Sequence, residues 1–110
     1  ESVSLARLTL EIVETLKPAW WVLENPVGRL PRLVPELKPF GPLYFQPHEF
    51  GEPYTKKTGL WGEFNGDMER NHVEPVEGSK MWKLPPSPER ANLRSATPAG
   101  FAEAFYNANP

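Results

Sequence analysis

The sequence predicts an α/β fold: a partial doubly wound sheet of a few strands, with flanking helices and long proline-rich loops, in one small domain over 1–110. Three observations carry this. An amphipathic helical pattern runs through a Lys-Pro joint straight into a short apolar run, which is half of a β/α crossover unit. Fourteen prolines in 110 residues are more than twice the usual share of ~5%, so extended loops must take up much of the chain. A hydrophobic content of 39% with four tryptophans is nonetheless too high for a disordered chain, and a thin core follows.

The first element is a helix over 2–16. Leu5, Leu8, Ile12 and Leu16 recur at helical spacing with Val13 beside them, while Arg7, Glu11 and Glu14 fall on the other side. Ser2 or Ser4 can cap its start, and Lys17-Pro18 ends it, because a residue before proline is pushed out of the helical region. No Met precedes Glu1, and a chain that opens at once on a helix is expected to be a piece of something longer.

A strand over 19–24 follows, from "AWWVLE", a continuous aromatic and β-branched run of the kind buried on both faces. In a parallel doubly wound sheet, ligands sit outside the carboxyl ends of the strands. Glu24, Asn25 and Pro26 stand at that end, either as a ligand position or as a polar strand stop in which Asn-Pro starts a turn. A strand end walled by Trp20 or Trp21 would desolvate the Glu24 carboxyl and raise its pKa.

Residues 27–39 hold Arg29, Arg32 and three prolines and predict a loop with one helical turn. Strands are expected over 43–46 and 58–64, separated by a turn around Gly51 and Pro53. Lys56-Lys57-Thr58, just before the later strand, reads as a phosphate contact or as a lysine-guarded edge. Asn65-Gly66-Asp67 is a turn. From 68 to 94 periodicity fades into loop, anchored at Met81-Trp82. The final helix, over 97–107, is capped by Thr97 with Pro98 at its first position, and Phe101, Ala102, Phe105 and Tyr106 form its apolar side. Arg90, Arg94 and Ser95 before it are candidate phosphate contacts at a helix start, with capping and surface ion pairing as the commoner alternative.

Composition excludes several chemistries. The absence of cysteine removes disulfides, thiolate zinc sites and a Cys nucleophile from this chain, and fits a reducing, cytoplasmic setting. His48 and His72 are isolated, so no metal site is expected. A formal net charge of −2 provides no global basic field, so contact with nucleic acid requires a local patch. No apolar run reaches the ~18 residues of a membrane span, and no membrane partner is expected.

"WWVLENPVGRL", followed by "PHEFGEPYTKKTGLWGEF" and "RANLRSATPAGFAEAFYNANP", resembles the C-terminal half of phage and bacterial proteins related to the cytosine-5 DNA methyltransferases. The resemblance implies a Rossmann-like methyltransferase sheet. It also implies that Glu24 holds the target cytosine through its ring nitrogen and exocyclic amine, in a Glu-Asn-Val motif that here reads Glu24-Asn25-Pro26. Lys56-Lys57-Thr58 stands where the family has Gln-x-Arg-x-Arg, and lysine lacks the bidentate fork of arginine. Asn25 would touch the base or fix the loop, and Arg29 and Lys57 would meet backbone phosphate. S-adenosylmethionine and DNA would be cofactor and partner of the parent protein, and no cofactor is expected for this chain alone. The family's glycine-rich cofactor turn and its Pro-Cys nucleophile are not in this sequence.

Two alternatives stand beside this. Amino-group methyltransferases carry Asn-Pro-Pro-aromatic or Asp-Pro-Pro-Tyr, and Asn25-Pro26-Val27-Gly28 lacks the second proline and the aromatic. A non-catalytic module would pair its exposed strand edge with another chain, as a homo-oligomer or against a missing N-terminal half.

Overall fold

The computed structural model describes residues 2–79 and 96–110. The described chain divides into two compact units. One runs up to Phe45 and resumes at Lys57–Gly66; the other takes Gln46–Lys56 and the described residues from Asp67 onward.

The first unit opens with helix α1, Ser2–Leu16. It ends where Lys17 turns into the left-handed region with φ 46°, its amide donating to the Val13 carbonyl at 2.8 Å. Pro18, which disfavours a helical Lys17, makes this the natural stop. The packed face of α1 is not the expected leucine stripe. Ala6 is fully buried, Val3, Leu10 and Val13 pack with it against the core, and Leu5, Leu8, Ile12 and Leu16 are 55%, 52%, 47% and 71% exposed. Both stripes are apolar, so hydrophobic periodicity does not choose between them. A helix bearing Ala6 at the contact point can come close to the sheet, and that packing decides.

Strand β1 is Trp21–Pro26, β2 is Leu43–Phe45 and β3 is Thr58–Glu63. The sheet order is β1-β3-β2, and both pairings are antiparallel. The class is therefore mixed helix and strand as expected, but a parallel doubly wound sheet is not seen among the described residues. The reason lies between the strands. Helix α2, Leu30–Leu33, and the 3₁₀ turn Pro35–Phe40 are short and proline-broken, whereas a parallel crossover usually carries a longer helix that packs on the sheet.

The core of this unit gathers Ala6, Trp21, Leu23, Leu30, Val34, Leu37 and Trp61, with Trp21 and Phe40 edge to face at 5.0 Å between ring centroids. Trp21 and Leu23 alternate with the less buried Val22 and Glu24, so β1 is buried on one face rather than on both. At Gly62 the backbone has φ +151°, and a Cβ there would collide with the Trp21 carbonyl oxygen. At Gly59 a Cβ would stand 2.8 Å and 3.0 Å from ring carbons of Trp61. The bare Gly59 leaves room for the buried Trp61 indole, and the bare Gly62 lets β1 and β3 approach at Trp21.

In the second unit Pro47–Glu49 forms a 3₁₀ turn closed by a capping box between Gln46 and Glu49. Phe50 makes a parallel bridge with Asn71. Helix α3 is Ala99–Ala108, with Pro98 rather than Thr97 at the N-cap and no side-chain cap. Its buried residues are Phe101 and Ala104, while Tyr106 is 69% exposed. Phe101 and the half-buried Phe105 therefore keep the expected apolar side, Ala104 takes the place of the exposed Ala102 and Tyr106 in it, and Phe101 stands edge to face on Phe50 at 5.6 Å. Met81-Trp82, Arg90, Arg94 and Ser95 lie outside the described residues.

Candidate functional site

The register of β1 and β3 builds the candidate site. Glu24, Asn25 and Pro26 are not beyond the strand but are its last three paired residues, opposite Leu60, Gly59 and Thr58. Pro26 has no N–H to give, which an edge strand such as β1 tolerates at its end. One step further on, the Val27 amide donates to the Lys57 carbonyl at 3.1 Å. Two segments about thirty residues apart in sequence thus share one end of one sheet, as antiparallel pairing requires of the tail of one strand and the head of the other.

Alternation then divides them between faces. Glu24 and Pro26 share a face with Leu60 and Thr58, and Phe45, paired with Thr58, joins them. Asn25 is on the opposite face with Gly59 and Tyr44. Lys57 sends its ammonium over the Tyr44 ring, 4.7 Å from the centroid. Thr58 is 1% exposed, so its hydroxyl is interior. Glu24 is half-buried. The Asn25 amide donates to the Pro26 carbonyl at 3.1 Å, which tightens the exit.

Arg29 opens helix α2 and lines a surface cleft of about 400 Å³ with Asn25, Pro26, Gly28, Leu33 and Val3. Lys56 belongs to the second unit. Its backbone amide donates to the Gln46 side-chain oxygen at 2.8 Å and its ammonium to the Ala96 carbonyl at 3.0 Å. The structure thus brings Glu24, Asn25, Pro26, Lys57 and Thr58 together at one sheet end, with Arg29 beside Asn25.

The tryptophan wall expected around Glu24 is different in the structure. Trp21 points to the other face, and its indole N–H donates to Glu63 Oε1 at 3.2 Å. Trp20 precedes the strand and is 43% exposed. Trp21 is an odd number of residues from Glu24, so alternation alone separates them.

Two features were not visible in the sequence. Tyr44 joins the site only through the register of a three-residue strand, for which no local pattern is diagnostic. Arg7 pairs with Glu36 across 29 residues. The backbone amide of Glu36 first, and Arg7 second, hold its carboxyl below the ordinary value. The pair borders a cleft of about 610 Å³ between α1 and the 3₁₀ turn, floored by Leu10, Val13 and Phe40.

Among the described residues there is no group of three His, Cys, Asp or Glu side chains that could hold a metal, and no helix is long and apolar enough to cross a membrane. Comparison of the chain with protein families, with curated proteins and with solved structures finds no match.

Proposed function

We propose that this chain is the substrate-side part of an S-adenosylmethionine-dependent DNA methyltransferase acting at C5 of cytosine. The observation that supports the reading is the placement of Glu24-Asn25-Pro26 beside Lys57 at one sheet end. An acid stands on one face of that end and an amide and a cation on the other, so a base held by Glu24 and a phosphate met by Lys57 would approach the same sheet end from its two sides.

In this reading the Glu24 carboxyl takes the ring nitrogen and exocyclic amine of the extrahelical cytosine, helping to offset the few kcal/mol of unstacking. Asn25 keeps the exit turn closed, and Lys57 and Arg29 meet the DNA backbone. Cytosine C5 becomes nucleophilic only after a thiolate adds to the neighbouring ring carbon. This sequence has no cysteine, so that group comes from outside this chain. S-adenosylmethionine supplies the methyl group when bound. No glycine-rich turn of the kind that holds it is in this sequence, where residues 24–29 form the base-holding strand end instead, so on this reading the parent protein holds it. The Rossmann-like sheet belongs, on this reading, to the whole enzyme in the cytoplasm.

The test is methyl transfer to cytosine C5 in DNA. Glu24→Gln in the complete protein is expected to lower the rate about 100-fold or more while leaving the urea midpoint nearly unchanged, and the isolated chain is expected to be inert. Parallel losses in rate and stability would reduce Glu24 to a strand-end residue. Turnover by the chain alone would overturn the division of labour.

A second reading has its own observation: the exposed stripe Leu5, Leu8, Ile12 and Leu16 is an apolar face that an associating protein would cover. It makes α1 a contact with a further copy or with the rest of the same protein. Sedimentation of the chain over a concentration series tests the first of these.

A further inference from the structure

We infer that Tyr44 is a positioning residue for Lys57, holding its ammonium at the Pro26 end of the sheet for contact with a nucleic-acid backbone phosphate. The inference rests on the DNA reading above and adds to it a residue that no motif marks.

Lys57 is exposed and lies one step beyond the paired residues of β3, where its carbonyl is already used by the Val27 amide. Its backbone is therefore fixed while its four-carbon side chain is free to sample many rotamers, an entropy cost to any contact it makes. The Tyr44 ring limits that sampling. It stands across from Gly59 in the register, and with no side chain at Gly59 it can lean toward the strand. A Cβ at Gly59 would be 3.4 Å from a Tyr44 ring carbon. The Lys57 ammonium lies 4.7 Å from that ring's centroid, within the reach of cation–π attraction.

Tyr44 is itself 44% exposed, so the cation it holds stays open to solvent and to a phosphate. Asn25 lies on the same face, and Arg29 shares the cleft beside it. The order Tyr44, Lys57, Asn25, Arg29 gives a strip with two cations on a chain of net charge −2, which is the local patch that phosphate contact requires.

A double-mutant cycle on the full chain tests this, with a fluorescently labelled duplex oligonucleotide titrated at several salt concentrations. Lys57→Gln should lower the slope of log affinity against log salt by about 0.9, the loss of one phosphate contact. Tyr44→Leu should weaken binding about two- to fivefold, the size of an exposed cation–π pair, and Tyr44→Phe, which keeps the ring face, should bind as the original chain does. In the Lys57→Gln background Tyr44→Leu should have no further effect. Equal losses from Tyr44→Leu with and without Lys57, or a Tyr44→Phe chain as weak as Tyr44→Leu, would overturn the positioning role and leave the Glu24 reading standing. A chain that binds no duplex even at low salt would overturn the inference and the DNA reading together.

Discussion

At the scale of single residues, two glycines in β3 are tightly constrained. Gly62 sits at φ +151° with the Trp21 carbonyl in the space a Cβ would take, and backbone is less able to yield than a side chain. Gly62→Ala is expected to cost about 2–3 kcal/mol, measured as a shift in urea midpoint. A change below about 0.5 kcal/mol would mean that the β1–β3 ladder can slip at that point. The second residue-scale prediction concerns pH. The folded chain holds Glu36 below its ordinary value of 4.5, by its own backbone amide first and Arg7 second. A carboxyl with a depressed folded pKa stabilises the fold above the unfolded value, and that contribution disappears as pH falls through the depressed one. Glu36→Gln should therefore lower the urea midpoint slightly at pH 7, with the difference shrinking as pH is lowered below 4.5; an effect that stays constant with pH would remove ionisation from the explanation. Individual residues were legible in the sequence where chemistry is local. Glu24-Asn25-Pro26 was visible as a polar end to an apolar run, but its tryptophan neighbour was not, since Trp21 is turned away by alternation and bonded to Glu63 42 residues on.

At the scale of elements, the sequence marks where structure forms and leaves open which face packs. The helix expected over 2–16 is found over Ser2–Leu16, because Lys17-Pro18 is a strong local stop. Its packed face differs from the leucine stripe that the spacing suggests, since Val3, Ala6, Leu10 and Val13 make a second apolar stripe with smaller residues. The two stripes give opposite predictions. Leu8→Glu, on the exposed stripe, should change stability by less than about 0.5 kcal/mol and reduce any self-association seen by sedimentation. Ala6→Leu, on the buried one, should cost about 1–3 kcal/mol through overpacking. Unfolding by Leu8→Glu would show that the leucine face is the packed one. Strand direction was the larger gap. A helix followed by a buried strand suggests a parallel sheet, but direction is set by what connects the strands, and residues 27–57 contain short helices rather than the longer one a parallel crossover usually carries.

At the scale of the molecule, the first unit is discontinuous: the chain leaves after Phe45 and returns at Lys57. No continuous segment consists of that unit alone, which is why Tyr44 and Lys57, on either side of the excursion, gave no joint signal. The same topology orders events in time. Pairing β2 with β3 closes only the excursion from Gln46 to Lys57, whereas pairing β1 with β3 closes a loop of roughly thirty residues, at slightly under 1 kcal/mol more in closure entropy. The short pairing nevertheless has three residue pairs and the long one six, so it is the later, costlier closure that locks the sheet. That one step brings Trp21 and Leu23 into the core with Trp61 and Glu24 and Asn25 to the end of the sheet where Lys57 stands. The candidate site is therefore a product of two pairings: β2 on β3 sets Tyr44 beside Lys57, and only the joining of β1 adds Glu24, Asn25 and Pro26.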